Sequence, residues 1–303
     1  MIKRTLYFGN PAYLSLRNQQ LVVSIPPKDG EEATERTIPI EDLGFVMLDN
    51  PQITITHGAL GALVENNTAV VTCDSRHMPA GLLLPTEGNT TQSERYRNQI
   101  EASLPLRKQI WQQTVQAKIR NQAAALEKRR GKSFGNMHAW ADDVRSGDSD
   151  NLEARAAVFY WDNLFAVEID KFRRDPDGDM PNAILNYGYA ILRAIIARAL
   201  VGSGLLPTLG VFHRNRYNAY CLADDIMEPY RPYVDLMVCD ILDEFGMPEK
   251  LNRDIKAKLL TLPTVDVVID GKRSPLMIAA SQTSASLARC YAGEIRKVSY
   301  PEM

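Results

Sequence analysis

Two hydrophobic rhythms divide the chain. Up to about residue 85 apolar positions tend to alternate or come in short β-branched runs, and from residue 93 they recur every three to four positions. Residues 12–17 (Ala-Tyr-Leu-Ser-Leu-Arg) alternate as a half-buried strand does, and 18–20 supply a turn into a second strand at 21–25. Pro26-Pro27 and Gly30 break that strand, and 36–40, 45–48 and 53–56 read as further short strands. Residues 58–65 have helical spacing with Asn66-Asn67 as a C-cap, and 69–73 form a last apolar strand. The polar, turn-rich stretch 85–91 then marks a boundary, giving domains of residues 1–88 and 89–303.

In the second domain Leu106, Ile110, Trp111, Val115, Ile119, Ala123 and Leu126 form the apolar stripe of one long helix. Its closing Lys128-Arg129-Arg130 followed by Gly131 suits a helix C-terminus as well as it suits a phosphate contact. Arg107, Lys108, Lys118 and Arg120 make DNA contact from this helix plausible. A polar connector at 135–150 leads to a helix over 152–172, N-capped by Asp150 or Asn151. Residues 183–200 are apolar on nearly all sides but include Asn186, Arg193 and Arg198, so they predict a buried core helix and no membrane span. Helices at 232–245, 249–260 and 274–292 follow, with a β-branched segment at 264–269 and an extended tail. The fold class expected is α+β, a β-rich N-terminal domain followed by an all-α C-terminal domain.

Charge and cysteines narrow the function. Thirty-five Lys and Arg against 37 Asp and Glu leave a net charge of −2, so a polyanion would meet local patches and no global basic field. Four scattered cysteines without a Cys-x-x-Cys pair read as reduced thiols of a cytoplasmic protein. The N-terminus runs straight into strand-like sequence, with no signal-peptide pattern. No glycine-rich phosphate loop and no convincing Ser or Cys nucleophile is present. His57 and His77 read as surface or hydrogen-bonded structural histidines, and 175–182 as a turn and helix N-cap in preference to a calcium loop.

The chemistry concentrates in residues 212–235. His213 precedes Asp224, Asp225 and Glu228, and helical spacing would stack Glu228 with either aspartate on one face. Two carboxylates with a histidine suit a divalent cation such as Mn²⁺ or Mg²⁺, while Arg214, Arg216 and Arg231 would equally turn the acids into ordinary salt bridges. Glu153, at the start of its helix, lines up with Ala157, Tyr160 and Leu164. A carboxylate on such a face needs a partner or a cation, although the helix dipole offsets part of the cost.

The stretches Asn151-Leu152-Glu153-Ala154-Arg155-Ala156-Ala157, Asn182-Ala183-Ile184-Leu185-Asn186-Tyr187-Gly188-Tyr189, His213 with Glu228-Pro229-Tyr230-Arg231-Pro232, Ser286-Leu287-Ala288-Arg289-Cys290-Tyr291 and Cys73-Asp74-Ser75-Arg76-His77-Met78-Pro79 together resemble a known family. It is the CRISPR-associated, metal-dependent endonuclease and integrase of spacer acquisition, in the short form of type II systems. The resemblance implies metal ligands at Glu153, His213 and Glu228 for Mg²⁺ or Mn²⁺, with Asp225 a further acid of the active-site region. Arg214 and Arg216 would hold adjacent phosphates. It implies homodimerisation through the N-terminal domain and a heterohexamer with a small ferredoxin-like CRISPR-associated subunit around double-stranded DNA. The RNA-guided effector nuclease is a further candidate partner. The reaction implied joins the 3′-OH ends of short duplex DNA to a CRISPR repeat. A non-catalytic DNA-binding scaffold of the same complex, or a phosphohydrolase acting on a small substrate, remain as alternatives.

Overall fold

A computed structural model describes residues 3–27 and 34–303, which form two compact units, Met1–Gly88 and Asn89–Met303. In the first unit the strands are β1 (Arg4–Phe8), β2 (Ala12–Arg17), β3 (Gln20–Ile25), β4 (Thr34–Pro39), β5 (Leu43–Leu48) and β6 (Ile53–Ile55). Helix α1 (His57–Glu65) and strands β7 (Ala69–Cys73) and β8 (Pro79–Leu83) complete it. One sheet has the order β4-β3-β2-β6 and the other β1-β5-β7-β8. The hairpin between β2 and β3 turns on Asn18 and Gln19, both at positive φ, the turn geometry that matches strand twist. The inward residues Leu14, Leu21, Leu43, Val46, Leu63 and Val70 make one core. The break expected at 26–30 runs partly outside the described residues.

The second unit comprises α2 (Gln92–Ile100), α3 (Leu104–Arg130), α4 (Gly135–Asp143), α5 (Leu152–Leu164), α6 (Asn182–Gly202), α7 (Cys221–Met227), α8 (Arg231–Phe245) and α9 (Arg253–Leu259). Strands β9 (Asp266–Ile269) and β10 (Lys272–Pro275), helix α10 (Leu276–Tyr291) and strand β11 (Pro301–Glu302) close the chain. Thus the helical unit also carries a small sheet, β10-β9-β11, which ties the tail back to the helices.

Helix α6 is the axis, with sixteen of its residues buried, and it packs against α7, α8 and α10. Gly188 makes one of those approaches possible, since a Cβ there would stand 2.5 Å from Val234 Cγ1. Among the described residues α6 alone is long and apolar enough to cross a membrane, and its apolar surface is spent inside the unit. Helix α3 is capped by Ser103, whose hydroxyl accepts from Leu106 N, and it ends at Gly131 in the left-handed conformation.

Besides the small sheet β10-β9-β11, strand β8 and the later start of α9 at Arg253, two segments near α5 depart from the sequence expectation. The polar connector is a helix, α4, because Phe134, Met137, Ala141 and Val144 recur at helical spacing and are buried. The helix expected over 152–172 stops at Leu164. Phe165 and Phe172 come together at 4.8 Å between ring centroids, with Trp161 against both, and this aromatic cluster draws the chain out of the helix.

Candidate active site

Four elements of the second unit supply the candidate side chains. Glu153 sits in the first turn of α5, and Asp148 caps that helix, its carboxylate accepting from Leu152 N at 2.9 Å and Glu153 N at 3.0 Å. Asn151 occupies the N-cap position, as expected for one of the two candidates, with a left-handed backbone and no side-chain cap bond of its own; Asp148 supplies those bonds in its place. The buried line of α5 is Leu152, Ala156, Tyr160 and Leu164, with Glu153 at its margin and part-buried.

Glu228 lies where α7 gives way to a single 3₁₀ turn, Glu228–Tyr230, before α8 begins. Pro229 has no N–H to continue the helix, and its carbonyl accepts from Asn121 Nδ2 of α3 at 2.7 Å. One helical turn from Asn121, Lys118 reaches the same junction. Its ammonium lies 2.7 Å from Glu153 Oε1 and 2.6 Å from Glu228 Oε2. Arg231 holds the other oxygen of Glu228 at 3.0 Å. At 2.6 Å the Lys118 contact with Glu228 Oε2 is a charge-assisted one, and the same ammonium serves both glutamates.

Burial alone would push Glu228 up, but Arg231 and Lys118 outweigh it and hold the carboxyl below its ordinary value. Burial likewise pulls the Lys118 ammonium down, and the charges of Glu228 and Glu153 reverse that, so its net shift is upward. Lys118, one of the four basic residues of α3 expected as candidates for DNA contact, is instead buried between two glutamates. Arg120, on the exposed side, pairs with Asp142.

The loop before α7 brings in His213. Fully buried Asp225 accepts from Phe212 N at 2.9 Å and from His213 Nδ1 at 2.5 Å, which leaves Nε2 of the half-exposed ring free to face a ligand. The hydrogen bond to Asp225 raises the imidazole above its ordinary value. Phe212 stacks on Trp111 of α3 at 4.4 Å, and His213 meets the edge of the same indole at 5.6 Å. Gly210 allows this closure, since a Cβ there would be 2.3 Å from His213 O.

The three acids thus serve three partners. Asp224 pairs with Arg193 at 2.6 Å, Asp225 orients His213, and Glu228 meets Lys118 and Arg231. Asp225 and Glu228, one turn apart, both act on His213, while Asp224 is turned to Arg193. Arg214 and Arg216 are exposed in the loop, and Arg216 covers the ring of the exposed Tyr217.

Among the described residues no three His, Cys, Asp or Glu side chains converge as a ready metal site. The donor chemistry nevertheless fits a divalent cation. Two glutamates from separate helices already share one cation, and the charge of both reaches the imidazole of His213, which Asp225 orients. The residue the sequence did not single out for this site is Lys118. Its signal was a lysine seven positions after Trp111 on the buried side of α3.

The profile described as CRISPR associated protein Cas1 matches residues 6–250. The CRISPR-associated endonuclease Cas1 of Neisseria meningitidis is 36% identical over 287 residues, 94% of this chain and 91% of that protein. Among solved structures, a casposase bound to integration product has a TM-score of 0.77 at 22% identity, covering 98% of this chain and 92% of that one. A Cas6-RT-Cas1–Cas2 complex has a TM-score of 0.74 at 20% identity, covering 98% of this chain and 36% of that one.

Proposed function

The chain belongs to the CRISPR-associated Cas1 family, and from that premise we propose that it is a metal-dependent DNA endonuclease and integrase of spacer acquisition. It joins the 3′-OH ends of short duplex DNA to a CRISPR repeat by transesterification. One observation carries the reading: the carboxylates of Glu153 and Glu228 converge from two helices beside an imidazole whose other nitrogen is held by buried Asp225.

Glu153, Glu228 and His213 Nε2 would hold Mg²⁺ or Mn²⁺. When bound, the cation polarises the scissile phosphodiester and offsets the negative charge that builds in the transition state. Asp225 keeps the proton of His213 on Nδ1, so the neutral ring presents a lone pair at Nε2. Arg231 and Asn121 fix the Glu228–Pro229 junction. Exposed Arg214 and Arg216 contact phosphates flanking the reacting one, and Tyr217 offers a face for an unpaired base. The β-rich unit forms a homodimer, and a small ferredoxin-like subunit bridges two such dimers around the duplex in the cytoplasm. The RNA-guided effector nuclease is a further partner in choosing spacers.

The test mixes the protein with a labelled 3′-OH duplex and a plasmid carrying a repeat array, with and without the small subunit. Label joined to plasmid with Mn²⁺ or Mg²⁺, and lost with EDTA or in Glu228→Gln, is the expected result. Binding without joining, in the presence of metal and subunit, would mark a scaffold and sink the enzymatic reading.

A further inference from the structure

The position of Lys118 is the least expected feature of the site. Its stem runs through the buried face of α3, and its ammonium contacts one oxygen of Glu153 and one of Glu228 at 2.7 and 2.6 Å. The same positive charge bridges those two oxygens. The arrangement stabilises the protein without metal, because two carboxylates facing each other in a largely buried space would otherwise repel. It also fills the gap that a divalent ion would share with the same two glutamates.

We infer that Lys118 is an internal counter-cation of the metal site: it holds Glu153 and Glu228 together in the free protein and must be displaced for a divalent ion to bridge them. This deepens the proposed function and rests on its assignment of Glu153 and Glu228 as ligands. Three features support displacement as the route. A flexible four-carbon stem lets the ammonium swing without moving the helix. One ammonium makes both contacts, so a single swing of the stem releases both glutamates. Arg231 keeps its hold on the other Glu228 oxygen at 3.0 Å, so that carboxylate stays in place. Lys118 is thus a positioning residue whose charge competes with the ion, and metal loading is weaker than the two carboxylates and imidazole alone would make it.

The experiment measures Mn²⁺ binding to the full-length protein by the free-ion signal in electron paramagnetic resonance, without DNA. Wild type, Lys118→Met, Lys118→Arg and Glu228→Gln are compared. Removing the charge in Lys118→Met tightens Mn²⁺ binding about tenfold or more, since a unit charge at contact with both ligands is worth at least that factor. Lys118→Arg keeps the charge and stays close to wild type. A folded Lys118→Met that binds Mn²⁺ equally or more weakly overturns the inference. Wild type that binds no Mn²⁺, or Glu228→Gln that binds like wild type, overturns the ligand assignment as well, so the two failures are distinguishable.

A second readout needs no variant. Saturating Mg²⁺ increases acetylation of Lys118 by an amine-reactive ester, followed by peptide mass spectrometry, while buried Lys256 serves as the unchanged reference. Unchanged Lys118 labelling under Mg²⁺ saturation overturns displacement, even if Lys118→Met fails to fold.

Discussion

Glu228 and Asp235 lie seven residues apart along the α7–α8 rod, and both are buried, yet their environments drive them in opposite directions. Glu228 meets Lys118 and Arg231 and is held below its ordinary value. Asp235 meets two hydroxyls, Tyr160 Oη at 2.9 Å and Tyr189 Oη at 2.5 Å. Burial pushes its carboxyl up to about 7, only partly opposed by those hydrogen bonds and by Arg231 and Arg174. Loss of water acts on both acids alike; what separates them is whether full charges touch the carboxylate, or hydroxyls touch it and the charges act from further off. The charged cluster faces the site, and the hydroxyl cluster locks α5, α6 and α8 together behind it. Arg231 touches both, through its ion pair with Glu228 and its place over the Tyr189 ring at 4.9 Å.

The sharpest break in this contrast is Glu228→Gln. It removes the charge from the site cluster and lowers strand joining by about 10³–10⁴-fold, the several kcal/mol that metal-assisted charge stabilisation supplies. Duplex binding measured by gel mobility should stay close to wild type, and loss of binding to the same degree would count against a ligand role. Removing the cation instead, in Lys118→Met, leaves the glutamates facing each other. Denaturant unfolding without metal should then show a loss of about 3–5 kcal/mol, and unchanged stability would mean that Glu153 and Glu228 separate freely.

The hydroxyl-held acid is tested through pH. Its raised value means that the native protein keeps a proton the unfolded chain has released between 3.8 and about 7. The contribution of Asp235 is therefore fully present below that window and is lost as pH rises through it. Relative to Asp235→Asn, wild-type stability should fall by about 2–4 kcal/mol from the acid to the neutral end. Parallel stability curves for the two proteins would place Asp235 among the charged acids.

Asp225 is a third buried acid, and its partner is a histidine. Asp225→Asn should weaken Mn²⁺ binding about 10–100-fold, as loss of an orienting carboxylate does, and should move the His213 titration measured by NMR downward. An unmoved midpoint would show that the imidazole is oriented by something else. The smallest effect tests the packing behind both clusters. Gly188→Ala forces a methyl group against Val234 and should cost about 1–2 kcal/mol in thermal unfolding, with little change in Mn²⁺ affinity.

The sequence by itself determined what local chemistry dictates. Alternation at 12–17, a turn at Asn18-Gln19, Gly131 as a helix stop and the unbroken apolar run of α6 each encode their element in neighbouring residues. The concentration of acids around His213 was legible for the same reason, because spacing within one segment is local. The length of α5 was not, since Phe172 leaves the helix for Phe165, a choice made by packing. Nor was the partnering of the acids. Helical spacing places Asp225 and Glu228 one turn apart, but only the loop closed over Gly210 gives Asp225 to His213, and only the approach of α3 gives Glu228 to Lys118. A lysine on an amphipathic helix reads as solvated until a distant segment buries it. The pairing of Lys118 with residues 35 and 110 positions further along the chain was therefore decided by tertiary structure, which alone sets which charges share low-dielectric space.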